Sequence, residues 1–141
     1  TAVQAAFTGH LVLASIHAID ATRVRDRLED MGVEPFKLDA CLIGSMAQRL
    51  TRTLCDECKS ERPLEKSETK LFEHNRIAPP SFVYAGEGCA TCREEGFTGR
   101  LAVSEYVAKD STAGISLIQD ALSKVADGRT ALSEVIALEG L

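Results

Sequence analysis

An α/β body interrupted by a cysteine-bounded insertion is what the 141-residue sequence predicts, on three observations. Hydrophobic residues make up 45% of the chain, enough to build a buried core. An apolar run at residues 11–17 is followed by stretches of helical periodicity, the order expected of a βα unit. Two Cys-x-x-Cys pairs, Cys55-Asp56-Glu57-Cys58 and Cys89-Ala90-Thr91-Cys92, then bracket a segment broken by Pro63, Pro79 and Pro80.

The opening Ala2-Val3-Gln4-Ala5-Ala6-Phe7 is compatible with a helix, and the lack of an initiating methionine reads as the downstream piece of something longer. Leu11-Val12-Leu13-Ala14-Ser15-Ile16-His17 suits a strand covered on both faces, as in a parallel sheet. Asp20 is a good N-cap for a helix in which Val24, Leu28 and Met31 recur at i, i+4 and i+7 and Gly32 provides the stop. Pro35 suits the first turn of the next helix. Its positions Phe36, Ala40, Ile43 and Ala47 line one side and Leu38 and Leu42 another, so the helix is expected to be mostly buried. Cys41, within that pattern, reads as a small core residue. Residues 48–54 read as a strand leading into the first cysteine pair, and residues 67–74 as a short charged surface helix with a solvated His74.

Gly96-Phe97-Thr98-Gly99 reads as a turn, and residues 100–107, with β-branched and aromatic members, as a strand. Asp110 or Ser111 is expected to cap a helix carrying Ile115, Ile118, Leu122 and Val125 that Gly128 closes, before a last helix over about residues 130–138. The sequence therefore divides into an α/β body at residues 1–54, an insertion at 55–98, and a return strand with helices at 99–141.

A Cys-x-x-Cys turn brings two thiolates within reach of one metal, and two such turns supply the four ligands of a closed tetrahedral zinc site. Cys55, Cys58, Cys89 and Cys92 are the expected ligands, with 30 residues between the pairs. Disulfides or a redox couple are the alternatives. No apolar signal-like or membrane-spanning stretch points to an oxidising compartment, so a metal is the expectation. A saturated tetrathiolate leaves no position for water or substrate, which makes such a zinc structural. The segment from Cys55 to Thr98 holds six Lys and Arg against nine Asp and Glu, a net charge of −3, and the whole chain carries −5. That balance argues against a phosphate backbone as partner.

His17 is the first polar side chain off its apolar run, with Asp20 three residues on. Two roles are open from spacing alone: a group at the carboxyl end of a strand that meets a ligand, or a histidine that anchors the strand to the next helix. His10 reads as structural. No Gly-x-x-x-x-Gly-Lys-Ser/Thr loop occurs, so the chain has no phosphate grip of that kind.

Thr8-Gly9-His10-Leu11-Val12-Leu13-Ala14-Ser15-Ile16-His17, Asp20-Ala21, Arg27-Leu28, Asp30-Met31-Gly32-Val33-Glu34-Pro35-Phe36, Ala47-Gln48-Arg49-Leu50 and Gly96-Phe97-Thr98-Gly99-Arg100 occur here in one order with the cysteine pairs. Together they resemble the C-terminal part of the type II/IV secretion ATPases, hexameric motors that drive type II secretion and assemble type IV pili. The resemblance covers nearly the whole chain. It implies the C-terminal part of a RecA-like P-loop ATPase core at residues 1–54, with the P-loop itself missing, a tetracysteine zinc insertion at 55–98, and a return strand with a short helical C-terminal subdomain at 99–141. Thr1-Ala2 is similar to the end of the Glu-Thr-Ala segment that follows the family's Walker B box, so both Walker boxes are expected upstream.

The resemblance further implies a set of roles. His17 would belong to the His box that contacts or senses the γ-phosphate, and Arg49 and Arg52 would face a neighbouring subunit or its nucleotide. ATP and Mg²⁺ would be bound by the full-length protein only, so the chain alone would be inactive. A cytoplasmic homo-hexamer would dock on inner-membrane platform proteins and the secretion or pilus machinery, without nucleic acid. A conjugation or other pilus motor of the same superfamily and a free-standing zinc-ribbon binding module are the alternative readings. The family commonly reads Ser-Thr-Leu-His-Thr-Asn-Asp-Ala where this chain has Ala14-Ser15-Ile16-His17-Ala18-Ile19-Asp20-Ala21, which removes two polar side chains beside the histidine.

Overall fold

The computed structural model describes residues 2–109 and 114–139, so the capping roles expected of Asp110 and Ser111, and the likeness drawn at Thr1, lie outside the described residues. The chain is a mixed α/β protein that gathers into two units. The first holds the residues up to Ala47 with those that follow Ser104 as far as Ile115; the second holds Gln48–Ser104 with the residues from Ser116 onward.

In the first unit, α1 (Ala2–Phe7) and α3 (Pro35–Cys41) meet through an edge-on contact of Phe7 and Phe36, ring centroids 6.5 Å apart. Helix α2 (Val24–Asp30) ends where Gly32 adopts φ +87 and its N–H reaches Glu29 O, as a left-handed C-terminal stop requires. Asp20 acts one turn before α2 rather than at its cap: its carboxylate accepts from Thr22 Oγ1 and Arg23 N, and the Thr22 hydroxyl leads in holding its pKa down. Among the described residues, Ala21, Val24 and Leu38 are the buried apolar ones of this unit.

Two expectations fail here for identifiable reasons. Residues 11–17 form no strand; they have no regular secondary structure, and Leu11 and Leu13 are 79% and 91% exposed. A strand exists only beside a hydrogen-bonding neighbour. Among the described residues the two sheets are the pairs β1-β4 and β2-β3, and neither includes this run. The parallel pairing expected of it is therefore also absent among the described residues. The second correction concerns α3, which stops at Cys41 and is largely exposed apart from Leu38, with Cys41 itself half-buried. The apolar period that seemed to run on to Ala47 crosses Gly44, where the chain turns into β1 (Gly44–Leu54). Gly44 lies flat against Tyr106, and a Cβ there would stand 2.7 Å from the Tyr106 hydroxyl oxygen, so strand pairing overrides the helical pattern.

Strand β1 pairs with β4 (Phe97–Ala108). The bonds flanking the pair, Cys55 N to Gly96 O and Lys109 N to Ile43 O, run in opposite senses along the two strands and make them antiparallel. In the second unit, β2 (Lys59–Pro63) and β3 (Phe82–Gly86) form an antiparallel pair with Lys59 opposite Gly86 and Pro63 opposite Phe82. Helix α4 (Lys66–His74) connects them, with His74 exposed at its last position. Glu68 closes its capping box and binds Arg62 through two hydrogen bonds of 2.6 and 2.8 Å.

Helix α5 (Leu117–Ala126) starts at Ser116, not at a residue before Ile115: Gln119 N donates to Ser116 Oγ and Ser116 N to Gln119 Oε1, a reciprocal cap. Helix α6 (Leu132–Glu139) follows the Gly128 turn. One apolar core joins the cysteine-bounded segment to these helices: Phe72 and Val83 pack with Leu101, Val103, Leu122, Val125, Leu132 and Val135, all at most 8% exposed.

Arg52 of β1 fastens α6 to that core. Its guanidinium donates to Glu134 Oε1 from Nε and Nη2 at 3.0 and 2.6 Å, its backbone N–H donates to Glu134 Oε2, and its Cζ stands 4.0 Å over the Phe97 ring. Burial raises the Glu134 carboxyl pKa, but the bonds from Arg52 outweigh it and leave Glu134 below its ordinary value of 4.5. The unfolded carboxyl therefore takes up a proton first as pH falls, so the contribution of the pair is whole above about pH 4.5 and disappears through the folded pKa beneath it. Glu134→Gln should cost about 1–2 kcal/mol at pH 7, discounted because Arg52 is half exposed. Urea titrations between pH 7 and 3 should show the gap between wild type and variant closing at the acid end.

Candidate metal centre

The two Cys-x-x-Cys turns are built alike. Cys55 O accepts from Cys58 N and Lys59 N, and Cys89 O accepts from Cys92 N and Glu94 N, which folds each pair into a tight knuckle. Cross-bonds lock the knuckles together: Cys55 N donates to Gly96 O, and Glu87 N donates to Cys58 O. The second knuckle needs left-handed backbone at Arg93, Glu94 and Gly96. Its approach to the first passes through Gly86 and Gly96, whose backbones touch so closely that a Cβ on Gly86 would lie 2.2 Å from Gly96 O. Only glycine fits there.

The result is four sulfurs within 4.8 Å of one another, contributed by Cys55, Cys58, Cys89 and Cys92. Cys55 and Cys89 Sγ stand 3.8 Å apart, Cys58 and Cys92 3.7 Å, and Cys89 and Cys92 3.7 Å. A disulfide would need about 2.05 Å. A tetrahedral metal with bonds of about 2.3 Å to sulfur sets its ligands about 3.8 Å apart, which is the spacing of these three pairs. Backbone amides already point at the sulfurs: Cys89 N and Gly96 N each lie 3.2 Å from Cys92 Sγ. Burial alone would raise the Cys92 thiol, but these amides more than reverse it and hold it at about 7, whereas burial pushes Cys58 up to about 12. A divalent cation supplies the charge that the remaining thiols need to ionise together. The cluster thus fits a single metal ion such as zinc. Cys41 lies in the other unit and is a free thiol.

His17 does not belong to this centre. It is exposed, and with Ala18, Ile19, Arg23, Asp26, Arg27 and Asp30 it lines an open concavity of ≈ 560 Å³ in the first unit. Two guanidinium and two carboxylate groups therefore share the hollow with the imidazole. Arg49 Nη1 donates to Gln48 O on β1, and Arg52 is held by Glu134 as described. The sequence patterns did not single out Glu134, Ser45 or Glu105, because each acts through a partner distant in the chain.

The family described as type II/IV secretion system protein matches residues 1–137. Among similar proteins, the type II secretion system ATPase E of Vibrio cholerae is 37% identical over 96% of this chain, which spans 31% of that relative. The type IV pilus assembly ATPase PilB of Thermus thermophilus is 37% identical over 96% of the chain and 18% of its own length. The type IV pilus assembly ATPase TfpB of Acinetobacter baylyi is 43% identical over 77% of the chain and 19% of its own length. The chain spans about a third or less of these relatives. Its order of motifs, its paired cysteines and the extent of these matches lead to one conclusion: the chain belongs to the type II/IV secretion system protein family.

Proposed function

We propose that this chain is the C-terminal portion of a hexameric ATPase that powers type II protein secretion or type IV pilus assembly, with a structural zinc in its tetracysteine cluster. The observation that carries the reading is the match, over 96% of the chain, to proteins named as secretion and pilus ATPases. Because those relatives are about three or more times longer, the P-loop and the Walker B carboxylates are assigned to residues upstream of Thr1. Residues 1–54 then form the end of a RecA-like core, 55–98 a zinc insertion, and 99–141 the return strand and helical tail. Strands of the missing part would supply the pairing that the exposed run at residues 11–17 lacks here.

In this reading ATP and Mg²⁺ bind to the longer protein, and hydrolysis rests on positioning and charge stabilisation. His17 serves as the auxiliary γ-phosphate sensor. Arg49 and Arg52 face a neighbouring subunit, and the bonds to Glu134 and the Phe97 ring fix the direction in which Arg52 presents its free edge. Among the described residues no helix is long and apolar enough to cross a membrane. The proposed motor is cytoplasmic and reaches the inner membrane through platform proteins of its machine. The net charge of −3 on the cysteine-bounded segment supports protein partners over nucleic acid.

The test compares the longer gene product with this chain alone. The longer protein should be a hexamer with Mg²⁺-dependent ATPase activity, and the chain alone should neither hydrolyse ATP nor bind it saturably at micromolar concentration in calorimetry. Micromolar binding by the chain, or a longer product without ATPase activity, would return the chain to a free-standing binding module.

A further inference from the structure

Two long-range hydrogen bonds converge on the backbone of one residue, Ala21, and both come from the β1-β4 strand pair. Glu105 Oε2 accepts from Ala21 N at 3.2 Å, across 84 positions of sequence, and Ser45 Oγ donates to Ala21 O at 2.7 Å, across 24. All three residues belong to the first unit. Ala21 is 1% exposed and Glu105 is 8% exposed, so in this clamp the bond between them is shielded from water, and the bond from Ser45 is partly so. A buried carboxylate is costly unless it has a specific partner, and here that partner is a main-chain amide. Strand alternation explains how the strand pair can do this: Gly44 and Tyr106 meet on one face, so Ser45 and Glu105, each one position along, turn to the other.

What the clamp holds is the peptide that follows His17. Ala21 is four residues from the imidazole and opens the turn into α2. On its far side, Asp20 ties the same turn to Thr22 and Arg23 N. The 11–17 run itself has no ladder to hold it among the described residues. Ala21 therefore ties the peptide that follows His17 to its unit through two side-chain hydrogen bonds from distant positions. We infer that Glu105, assisted by Ser45, is a positioning residue for His17: it fixes the backbone at Ala21 and thereby the place of the imidazole in the concavity shared with Arg23 and Arg27. The inference rests on the reading of His17 as a phosphate sensor.

The experiment uses the full-length ATPase with Glu105→Ala, Glu105→Gln, Ser45→Ala, His17→Ala and the double variant Glu105→Ala/His17→Ala. A misplaced catalytic group loses turnover steeply, so E105A should lower kcat by about tenfold to 100-fold while KM for ATP stays within about twofold. E105Q, whose amide oxygen still accepts from Ala21, should recover most of that loss, and S45A should show a smaller loss of the same kind. The double variant should be no slower than H17A, because both changes disable one unit. Hydrogen exchange should accelerate at Ala21 in E105A and not at the Phe72 core. Should E105A fail to fold, S45A and E105Q carry the test: S45A at wild-type kcat, or E105Q as slow as H17A, overturns the inference. If H17A lowers kcat and E105A does not, positioning is wrong while the sensor reading stands. If H17A itself leaves kcat unchanged, the sensor reading falls and this inference falls with it.

Discussion

Cys92→Ser, or exhaustive chelation, should remove the proposed structural zinc, one per chain, and unfold the second unit, the largest stability loss expected of any single change. Apparent binding free energies of structural tetrahedral zinc sites are about 10–16 kcal/mol at neutral pH and act as folding free energy. Cys92 is the most telling of the four cysteines to change, because its sulfur already collects the amides of Cys89 and Gly96. The damage should not stay near the cysteines. Phe72 and Val83, which the knuckles hold in place through β2 and β3, sit in the same core as Leu122, Val125 and Val135, so α5 and α6 should lose protection together with residues 55–98. Elemental analysis of freshly purified reduced protein and hydrogen exchange with and without chelator check both parts. A stoichiometric metal other than zinc, or no metal with the four thiols intact, would remove the structural zinc from the proposed function; disulfides among the four would remove the site.

This expectation differs from what the order of segments suggests. Read along the chain, residues 55–98 look like an insertion that could loosen alone, because the cysteines mark its ends and prolines break it. Packing is decided by which apolar faces meet, and the sequence does not say that Phe72, in the charged stretch Ser67-Glu68-Thr69-Lys70-Leu71-Phe72-Glu73-His74, is fully buried against helices some 50 positions later. The cysteine knuckles were legible for the opposite reason: four thiols at Cys-x-x-Cys spacing have few structural uses, and the chemistry is local. So were Gly32 as a helix stop and Pro35 as a helix start, which depend on φ preferences of single residues.

The fate of residues 11–17 shows the limit from another side. Leu, Val and Ile in a row register a propensity to be covered, but a strand is a property of two segments, and the described residues provide no second one. In the same way α3 loses its last turn because Gly44 is claimed by the ring of Tyr106, sixty-two positions away in sequence. Glu105 could have been noticed as an acidic side chain at an alternating position of a predicted strand. Nothing in the pattern, however, names Ala21 as its acceptor's donor.

On the proposed reading of the longer protein as an ATPase with His17 as its γ-phosphate sensor, His17→Ala should lower kcat by about 100-fold, the usual cost of removing one preorganised group that meets charge developing in the transition state, while nucleotide affinity stays close to wild type. The reasoning is differential binding: a sensor of the γ-phosphate contributes where charge moves, not where adenine and ribose are held. This chain has reason to depend on the imidazole. Positions 18 and 19 offer alanine and isoleucine, and the Asp20 carboxylate is turned away to Thr22 and Arg23 N, so the side chains that follow His17 give it no polar substitute before the helix begins. Arg23 and Arg27 share the concavity with Asp26 and Asp30, whose carboxylates offset their charge toward a phosphate, and Asp26 pairs with Arg23 at 3.7 Å. Steady-state kinetics with Mg²⁺-ATP and calorimetry with a non-hydrolysable analogue separate the two quantities. A variant that loses affinity and turnover in equal measure would make His17 a binding residue, and one that keeps full turnover would make it the anchor of its segment and nothing more.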